Sequence, residues 1–135
     1  MYLSIHPLDL GDLELDVSFA NWQTGCGTKS WFPTTAWLVL DAQKPILVDS
    51  SFRSVEDALS NQGLTARRSQ QQTLAYQLAK HGLNPADVGY VVHTHVHMDH
   101  SGKIFCCRTQ RSCCSAKRSK MPPRRTFTRC PFMTG

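Results

Sequence analysis

The chain has 135 residues and a formal net charge of +5, but its charged residues are unevenly distributed. Residues 1–102 carry six Lys/Arg and ten Asp/Glu, whereas residues 103–135 carry nine Lys/Arg and no acidic residue. The net charge is therefore a poor guide to binding partners. The sequence has no stretch apolar enough to span a membrane and does not begin like a signal peptide, which predicts a cytoplasmic protein without membrane partners.

The first part of the chain alternates between strand-like and loop-like composition. Alternating apolar residues predict strands at residues 2–5, 13–17, 35–41 and 46–49. Glycines and a proline predict a long loop over residues 21–33. An apolar stripe at Leu74, Ala75, Leu78 and Ala79 predicts a helix over residues 67–81, closed by a left-handed cap at Gly82.

Residues 88–93 are apolar and β-rich, which predicts a buried strand, and the most informative segment of the chain follows it. This segment, residues 94–102, reads T-H-V-H-M-D-H-S-G and holds four groups able to bind a divalent cation: His95, His97, Asp99 and His100. Neutral imidazole and carboxylate are suitable ligands for zinc. The pattern therefore favours a metal site over its alternative, a solvated histidine-rich loop.

The spacing within the motif suggests how the ligands divide. His95 and His97 alternate on a locally extended chain, so they are expected to face one metal ion. Asp99 and His100 are adjacent and are expected to diverge toward a second ion. Two such ions can hold a bridging hydroxide and polarise a carbonyl group. His93 shares the alternation of His95 and is predicted to be a buried or supporting polar residue rather than a ligand.

The motif resembles the signature of the metallo-β-lactamase superfamily. Residues 36–40 and 45–50 resemble the early strand pair that ends in the family's V-D-[ST] turn, and residues 82–88 resemble the approach to the metal-bearing strand. Met98 and the Ser101-Gly102 pair resemble the branch that contains the N-acyl homoserine lactonases.

The resemblance implies a fold and a function for the intact relative. It implies an α/β fold in which this chain supplies the first half of a four-layer αββα sandwich. It also implies a zinc-dependent hydrolase with two zinc ions, acting on a small lactone or ester. His95 and His97 would bind the first ion, and Asp99 and His100 the second, with Asp99 also handling the proton of the attacking water.

Two further expectations depend on the resemblance. Asp49 could support the metal loop as a hydrogen-bond acceptor, because metal-bound histidines donate their second N–H to such groups; its alternative is an ordinary turn carboxylate. The family's later ligands, a third histidine for the first metal, a bridging aspartate and a final histidine, are not found in the chain. We therefore expect a truncated domain over residues 1–102 with weak or no activity.

Residues 103–135 form a basic tail that holds five of the six cysteines and is predicted to be disordered. A nucleic-acid-binding arm is one interpretation, although only unspecific binding is expected. The cysteines occur as doublets rather than C-x-x-C pairs, which disfavours a zinc site, and a disulfide framework would require a secreted protein. A non-catalytic metal- or nucleic-acid-binding protein with a genuine tail remains the alternative function.

A frameshift explains the tail better. Moving the reading frame back by one base forces leucine at the Phe105-Cys106 and Cys106-Cys107 steps, and again at the Cys113-Cys114 doublet. Codon choice then permits L-L-P-N-A-T-V-L-L, followed by an acidic, helix-like stretch. This string resembles the segment that follows the metal loop in lactonase-like relatives.

Overall fold

Six strands form one mixed sheet in the computed structural model, which describes residues 2–22, 24–103 and, as backbone only, 111–114. The strands are β1 Ser4–Asp16, β2 Lys29–Leu40, β3 Ile46–Val48, β4 Thr65–Arg67, β5 Tyr90–His93 and β6 Arg111–Cys114. Their order is β4-β1-β2-β3-β5-β6. The neighbours from β4 to β3 are antiparallel, whereas β3, β5 and β6 are parallel. The mixed α/β architecture confirms the predicted fold class.

In the part of the chain that the structure describes, three α-helices accompany the strands: α1 Val55–Gln62, α2 Leu74–Ala79 and α3 Met98–Ser101. Helix α1 begins after Ser54, whose hydroxyl accepts a hydrogen bond from the Asp57 amide, and it ends at Gly63 in the left-handed conformation. Within the described residues, no helix combines the length and the apolar character that a membrane crossing requires.

Two buried clusters hold the helices against one face of the sheet. The larger cluster joins α2 to the central strands through Leu8, Leu10, Ala36, Leu38, Leu47, Leu74, Leu78, Val88 and Val91. The smaller cluster joins α1 to β1 and β4 through Leu13, Phe52, Ala58 and Ala66, and Met98 of α3 packs against it. Residues 94–102 therefore contact the smaller cluster directly, through Met98.

The structure corrects several element boundaries. The two strands predicted at residues 2–5 and 13–17 are one strand, β1, with a bulge between Asp9 and Asp12. Gly11 occupies the bulge at φ +104°, where an added Cβ would lie 2.7 Å from the carbonyl oxygen of Arg67. Strand β2 begins at Lys29, inside the predicted loop.

The helix predicted over residues 67–81 begins later in the chain and is shorter than predicted. Arg67 ends β4, a 3₁₀ turn occupies Gln70–Gln72, and only Leu74–Ala79 is α-helical. The predicted left-handed cap at Gly82 is confirmed, with φ +71°. The sequence did not predict α1.

The structure describes little of the tail. The backbone of Arg111–Cys114 forms β6 beside β5, although no strand was predicted there. The disorder predicted for residues 103–135 was therefore wrong at Arg111–Cys114, and for residues 104–110 and 115–135 the prediction lies outside the described part of the chain.

Candidate metal centre

The motif begins where β5 ends and continues into the short helix α3. Thr94, His95, Val96 and His97 follow the strand, and His97 precedes α3 with an extended backbone (φ −66°, ψ 155°). Helix α3 carries Asp99 and His100 in its single turn. The motif is therefore an extended segment followed by a helical turn.

The motif side chains lie close to one another. The His95 ring centroid lies 4.6 Å from that of His97 and 3.9 Å from that of His100. The Nε2 atom of His100 lies 3.3 Å from a carboxylate oxygen of Asp99. The expectation that His100 diverges from the first pair was wrong, because the helical turn brings its ring back over that of His95, whereas the divergence of Asp99 stays a prediction.

Asp49 lies under this cluster and contacts it directly. Its carboxylate accepts hydrogen bonds from the Thr94 amide (2.9 Å) and the Thr94 hydroxyl (2.8 Å), and it lies 2.9 Å from Nδ1 of His100. Burial disfavours the charged carboxylate, but the hydrogen bonds from His100 and Thr94 outweigh it and lower the pKa of Asp49. An ionised Asp49 therefore faces the motif.

These hydrogen bonds favour one tautomer of each of two histidines where the ring carries a single proton. A carboxylate only accepts, so His100 donates from Nδ1 to Asp49 and keeps a lone pair on Nε2. The Thr94 hydroxyl donates to Asp49 and can then accept from Nδ1 of His95 at 3.1 Å, which leaves the Nε2 lone pair of His95 free as well. Each ring thus presents its Nε2 atom as a possible ligand.

His93 is buried beneath the motif, on the core face of β5. Its Nδ1 lies 3.2 Å from the carbonyl oxygen of His100 and 3.9 Å from Asp49. Its Nε2 is buried without a hydrogen-bond partner among the described residues. His93 thus contacts the backbone of the motif from below.

A strained turn after β3 holds the far end of the motif. Asp49 and Ser51 both adopt positive φ, 64° and 60°, which is costly for residues with a Cβ. The Ser50 amide donates to the carbonyl oxygen of His100 at 2.7 Å, and the Gly102 amide donates to that of Ser51 at 3.0 Å. A Cβ at Gly102 would lie 2.5 Å from the backbone nitrogen of Arg53, so only glycine fits this approach.

Arg68 holds this turn from the other side. Its guanidinium donates to the carbonyl oxygens of Leu10, Phe52 and Arg53 and to the hydroxyl of Ser51. Burial lowers the pKa of Arg68 to about 10. Arg68 thus connects the β1 bulge to the turn that supports the motif, a role that no local sequence pattern indicates.

A groove of about 700 Å³ opens beside the motif. His97 and Asp99 line it together with apolar side chains: Leu15 of β1, Phe19 of the following turn, Leu64 just before β4, and Val96 and Met98 of the motif. The arrangement places an apolar surface next to two of the candidate ligands.

The donor types suit a zinc site, but the described residues do not assemble one. Imidazole nitrogen and carboxylate oxygen are zinc ligands, and the free Nε2 atoms lie within one cluster. Among residues 2–22, 24–103 and 111–114, however, no group of three or more His, Cys, Asp or Glu side chains is arranged to hold a metal ion. The motif therefore supplies ligands of the right kind without a complete coordination shell.

Comparison with known families gives one match. Residues 30–105 match the model of the family described as the metallo-beta-lactamase superfamily. The match extends from β2 to just beyond the motif, and it covers more than half of the chain.

Comparison with solved structures gives lactone hydrolases. An N-acyl homoserine lactone hydrolase, solved with N-hexanoyl-L-homoserine at its catalytic metal centre, has a TM-score of 0.70 at 23% identity, covering 83% of this chain and 48% of that one. A mutant of AiiA from B. thuringiensis, with N-decanoyl-L-homoserine in its active site, has a TM-score of 0.69 at 21% identity, with the same coverage. A quorum-quenching N-acyl homoserine lactone lactonase has a TM-score of 0.64 at 25% identity, covering 78% of this chain and 42% of that one. The chain thus spans about half the length of the structures it matches.

Proposed function

Because the chain belongs to the metallo-β-lactamase superfamily, we propose that its motif is the first half of the metal centre of a hydrolase that opens lactones or related esters. The proposal concerns the intact domain, of which residues 1–102 form the first part. For the 135-residue chain we propose weak or no activity, because its described residues assemble no complete metal site.

We assign His95 and His97 to a first metal ion and Asp99 and His100 to a second. A bound zinc pair would supply Lewis acidity and lower the pKa of a water molecule. The chain's own residues orient the ligands: Asp49 holds His100 through Nδ1, and Thr94 contacts Nδ1 of His95. Asp99 is the motif's own carboxylate, it lines the groove, and it would take the proton of the attacking water.

The contact between His100 and Asp99 is the observation that carries the proposal. In the tautomer set by Asp49, Nε2 of a neutral His100 has a lone pair, and a carboxylate oxygen of Asp99 lies 3.3 Å away. Two acceptors that face each other repel unless a cation or a proton lies between them. A divalent cation bound by both atoms would relieve this repulsion.

The groove supports an ester or lactone with an apolar chain as the substrate class. Leu15, Phe19 and Val96 offer apolar surface beside His97 and Asp99. A substrate placed with its carbonyl group at the motif could extend an acyl chain over this surface.

We further propose that the tail is encoded out of frame. Strand β6 occupies Arg111–Cys114, next to β5. The shifted frame permits T-V-L-L at these four positions, and such a sequence has a higher strand propensity than R-S-C-C. Sequencing the gene beyond codon 105 tests this: a long frame containing further His and Asp motifs is expected, and its absence would remove the main support for a truncated enzyme.

The metal assignment can be tested with the chain as it is. Zinc titration followed by NMR of the imidazole nitrogens should shift the resonances of His95, His97 and His100. His6 and His81 form a ring pair elsewhere, with centroids 4.6 Å apart, and serve as internal controls. Shifts confined to the control pair, or no shift at the motif at high zinc concentration, would refute the assignment.

A further inference from the structure

Three donors converge on the backbone carbonyl oxygen of His100. The Ser50 amide donates to it at 2.7 Å and the Ser50 hydroxyl at 3.1 Å. The third donor is Nδ1 of His93 at 3.2 Å, which carries the proton of this contact because a carbonyl oxygen only accepts. Helix α3 is a single turn, too short to be stable by itself, so these bonds anchor it.

The bond from His93 closes a loop around the candidate ligands. His93 is the last residue of β5, and His100 lies seven positions later in the chain. The loop between them contains the other three candidate ligands: His95, His97 and Asp99. The bond therefore joins the rigid end of a strand to the far end of the motif.

Stability alone does not explain a histidine at position 93. Its side chain is only 1% exposed, and with the proton on Nδ1 a neutral ring leaves an acceptor at Nε2. This acceptor has no hydrogen-bond partner among the described residues, which destabilises the folded chain. An apolar side chain would avoid this, and the two Ser50 donors would still satisfy the carbonyl oxygen of His100. A residue that breaks a local rule in this way is expected at a functional site.

We propose that His93 is a positioning residue of the metal centre. Its Nδ1–H bond to the backbone of His100 keeps the His100 ring over that of His95, with 3.9 Å between the ring centroids. Asp49 orients the same ring through Nδ1 of His100, so one residue holds the ligand by its side chain and the other by its backbone. The use of these ligands rests on the proposed function, but their geometry is measurable without metal.

Two substitutions in the 135-residue chain separate positioning from stability. His93→Leu removes the donor together with the unpartnered Nε2 atom, so it should unfold at no lower urea concentration than wild type. His93→Asn places an amide N–H where Nδ1 lies but introduces a weak strand former, so it should unfold at a lower urea concentration. Nuclear Overhauser effects between the ring protons of His95 and His100 should be present in wild type and His93→Asn and lost in His93→Leu.

Zinc titration provides a second readout. His93→Leu should raise the dissociation constant for zinc at the motif at least about tenfold, and His93→Asn should restore most of the affinity. Gln77→Leu is the matched control, because Gln77 is also buried and also donates to a backbone carbonyl oxygen, that of Gln71 at 2.8 Å. It should change neither the ring-to-ring effects nor the zinc affinity.

The outcomes distinguish this inference from the proposed function. The inference is overturned if His93→Leu keeps the ring-to-ring effects, keeps the zinc affinity of wild type, or does not fold. It is also overturned if the ring-to-ring effects follow the urea midpoints of the variants rather than the presence of the donor. If wild type binds no zinc but the effects follow the donor, the proposed function fails while the placement of His100 by His93 is supported.

Discussion

The carboxylate of Asp49 lies 2.9 Å from Nδ1 of His100, which connects the turn after β3 to the metal motif 51 residues later. The same carboxylate accepts two hydrogen bonds from Thr94, at the start of the motif. One buried anion therefore fixes both ends of the ligand-bearing segment. This explains why the strained turn at residues 49–51 is stable: the contacts it makes offset the cost of two positive φ angles.

Replacing Asp49 by Asn should destabilise the chain by about 1–3 kcal/mol, because an amide cannot accept all the hydrogen bonds that the carboxylate accepts. Asn tolerates the left-handed backbone, so the change tests the side chain rather than the turn. Asp41 has the same φ of 64° but is exposed, and Asp41→Asn should cost less than about 0.5 kcal/mol. Urea unfolding measures both, and equal losses would contradict the role of Asp49.

Arg68 and Arg67 provide a second matched pair. Arg68→Lys should cost about 1–3 kcal/mol, because an ammonium group cannot reach the three carbonyl oxygens that the guanidinium bonds. Arg67 pairs with Asp12 at the surface, and Arg67→Lys should cost less than about 0.5 kcal/mol. The comparison is made by urea unfolding at neutral pH. A smaller loss at Arg68 than at Arg67 would show that the turn does not depend on its carbonyl contacts.

The sequence predicted the parts of the fold that local patterns encode. Strands β2, β3 and β5 follow from alternating or continuous apolar residues, and the cap at Gly82 follows from glycine chemistry. Helix α1 was missed because its sequence is largely polar and only Ala58 is buried along it. The start predicted for α2 at residue 67 was too early because Arg67 pairs with Asp12 of β1 as part of β4, and this strand pairing competes with helix formation.

The candidate site was only partly accessible from sequence. The ligand types in the motif are visible in residues 94–102, and the resemblance suggested Asp49. The return of His100 over His95 depends on one turn of helix α3, which spacing alone does not predict. The contacts of Arg68 depend on residues up to 58 positions away, so no local pattern could reveal them.

Lowering the pH should weaken the hydrogen bonds of Asp16 that stabilise the turn after β1, which includes the groove-lining residue Phe19. Hydrogen bonds from the Ser18 side chain and amide and from the Gly27 amide lower the pKa of Asp16. A lowered pKa contributes stability above the unfolded value of 3.8, and this is lost as pH falls through the folded value below it. As the pH falls through the pKa of Asp16 in the folded chain, hydrogen exchange of the Gly27 amide should become faster relative to exchange of core amides. The exchange rates are first corrected for the intrinsic dependence of amide exchange on pH. In Asp16→Ala, which has no side-chain acceptor, this amide should be unprotected at every pH, and protection that persists in the variant would contradict the assignment.

Zinc binding to the 135-residue chain should be weak and partial. Catalytic zinc is usually held by three protein ligands, and the described residues assemble no group of that size. Metal analysis after dialysis should therefore find well under one zinc per chain. His97→Ala should weaken zinc binding further in a titration, whereas His81→Ala should not. A stoichiometric zinc pair that survives dialysis would show that residues outside the described part complete the site.

Hydrolysis should depend on the reading frame after Phe105. The 135-residue chain should show little turnover of lactones, esters or β-lactams, because a nucleophilic water needs a complete metal site. A gene with the frame restored at Phe105 should gain activity, and Asp99→Ala in that background should lower kcat by about 100-fold or more, as expected for loss of a proton-accepting group that is also a ligand. Tyr76→Ala, at an exposed position on α2, is the control and should retain full activity. Rapid turnover by the 135-residue chain itself would show that the motif functions without the residues that the shifted frame supplies.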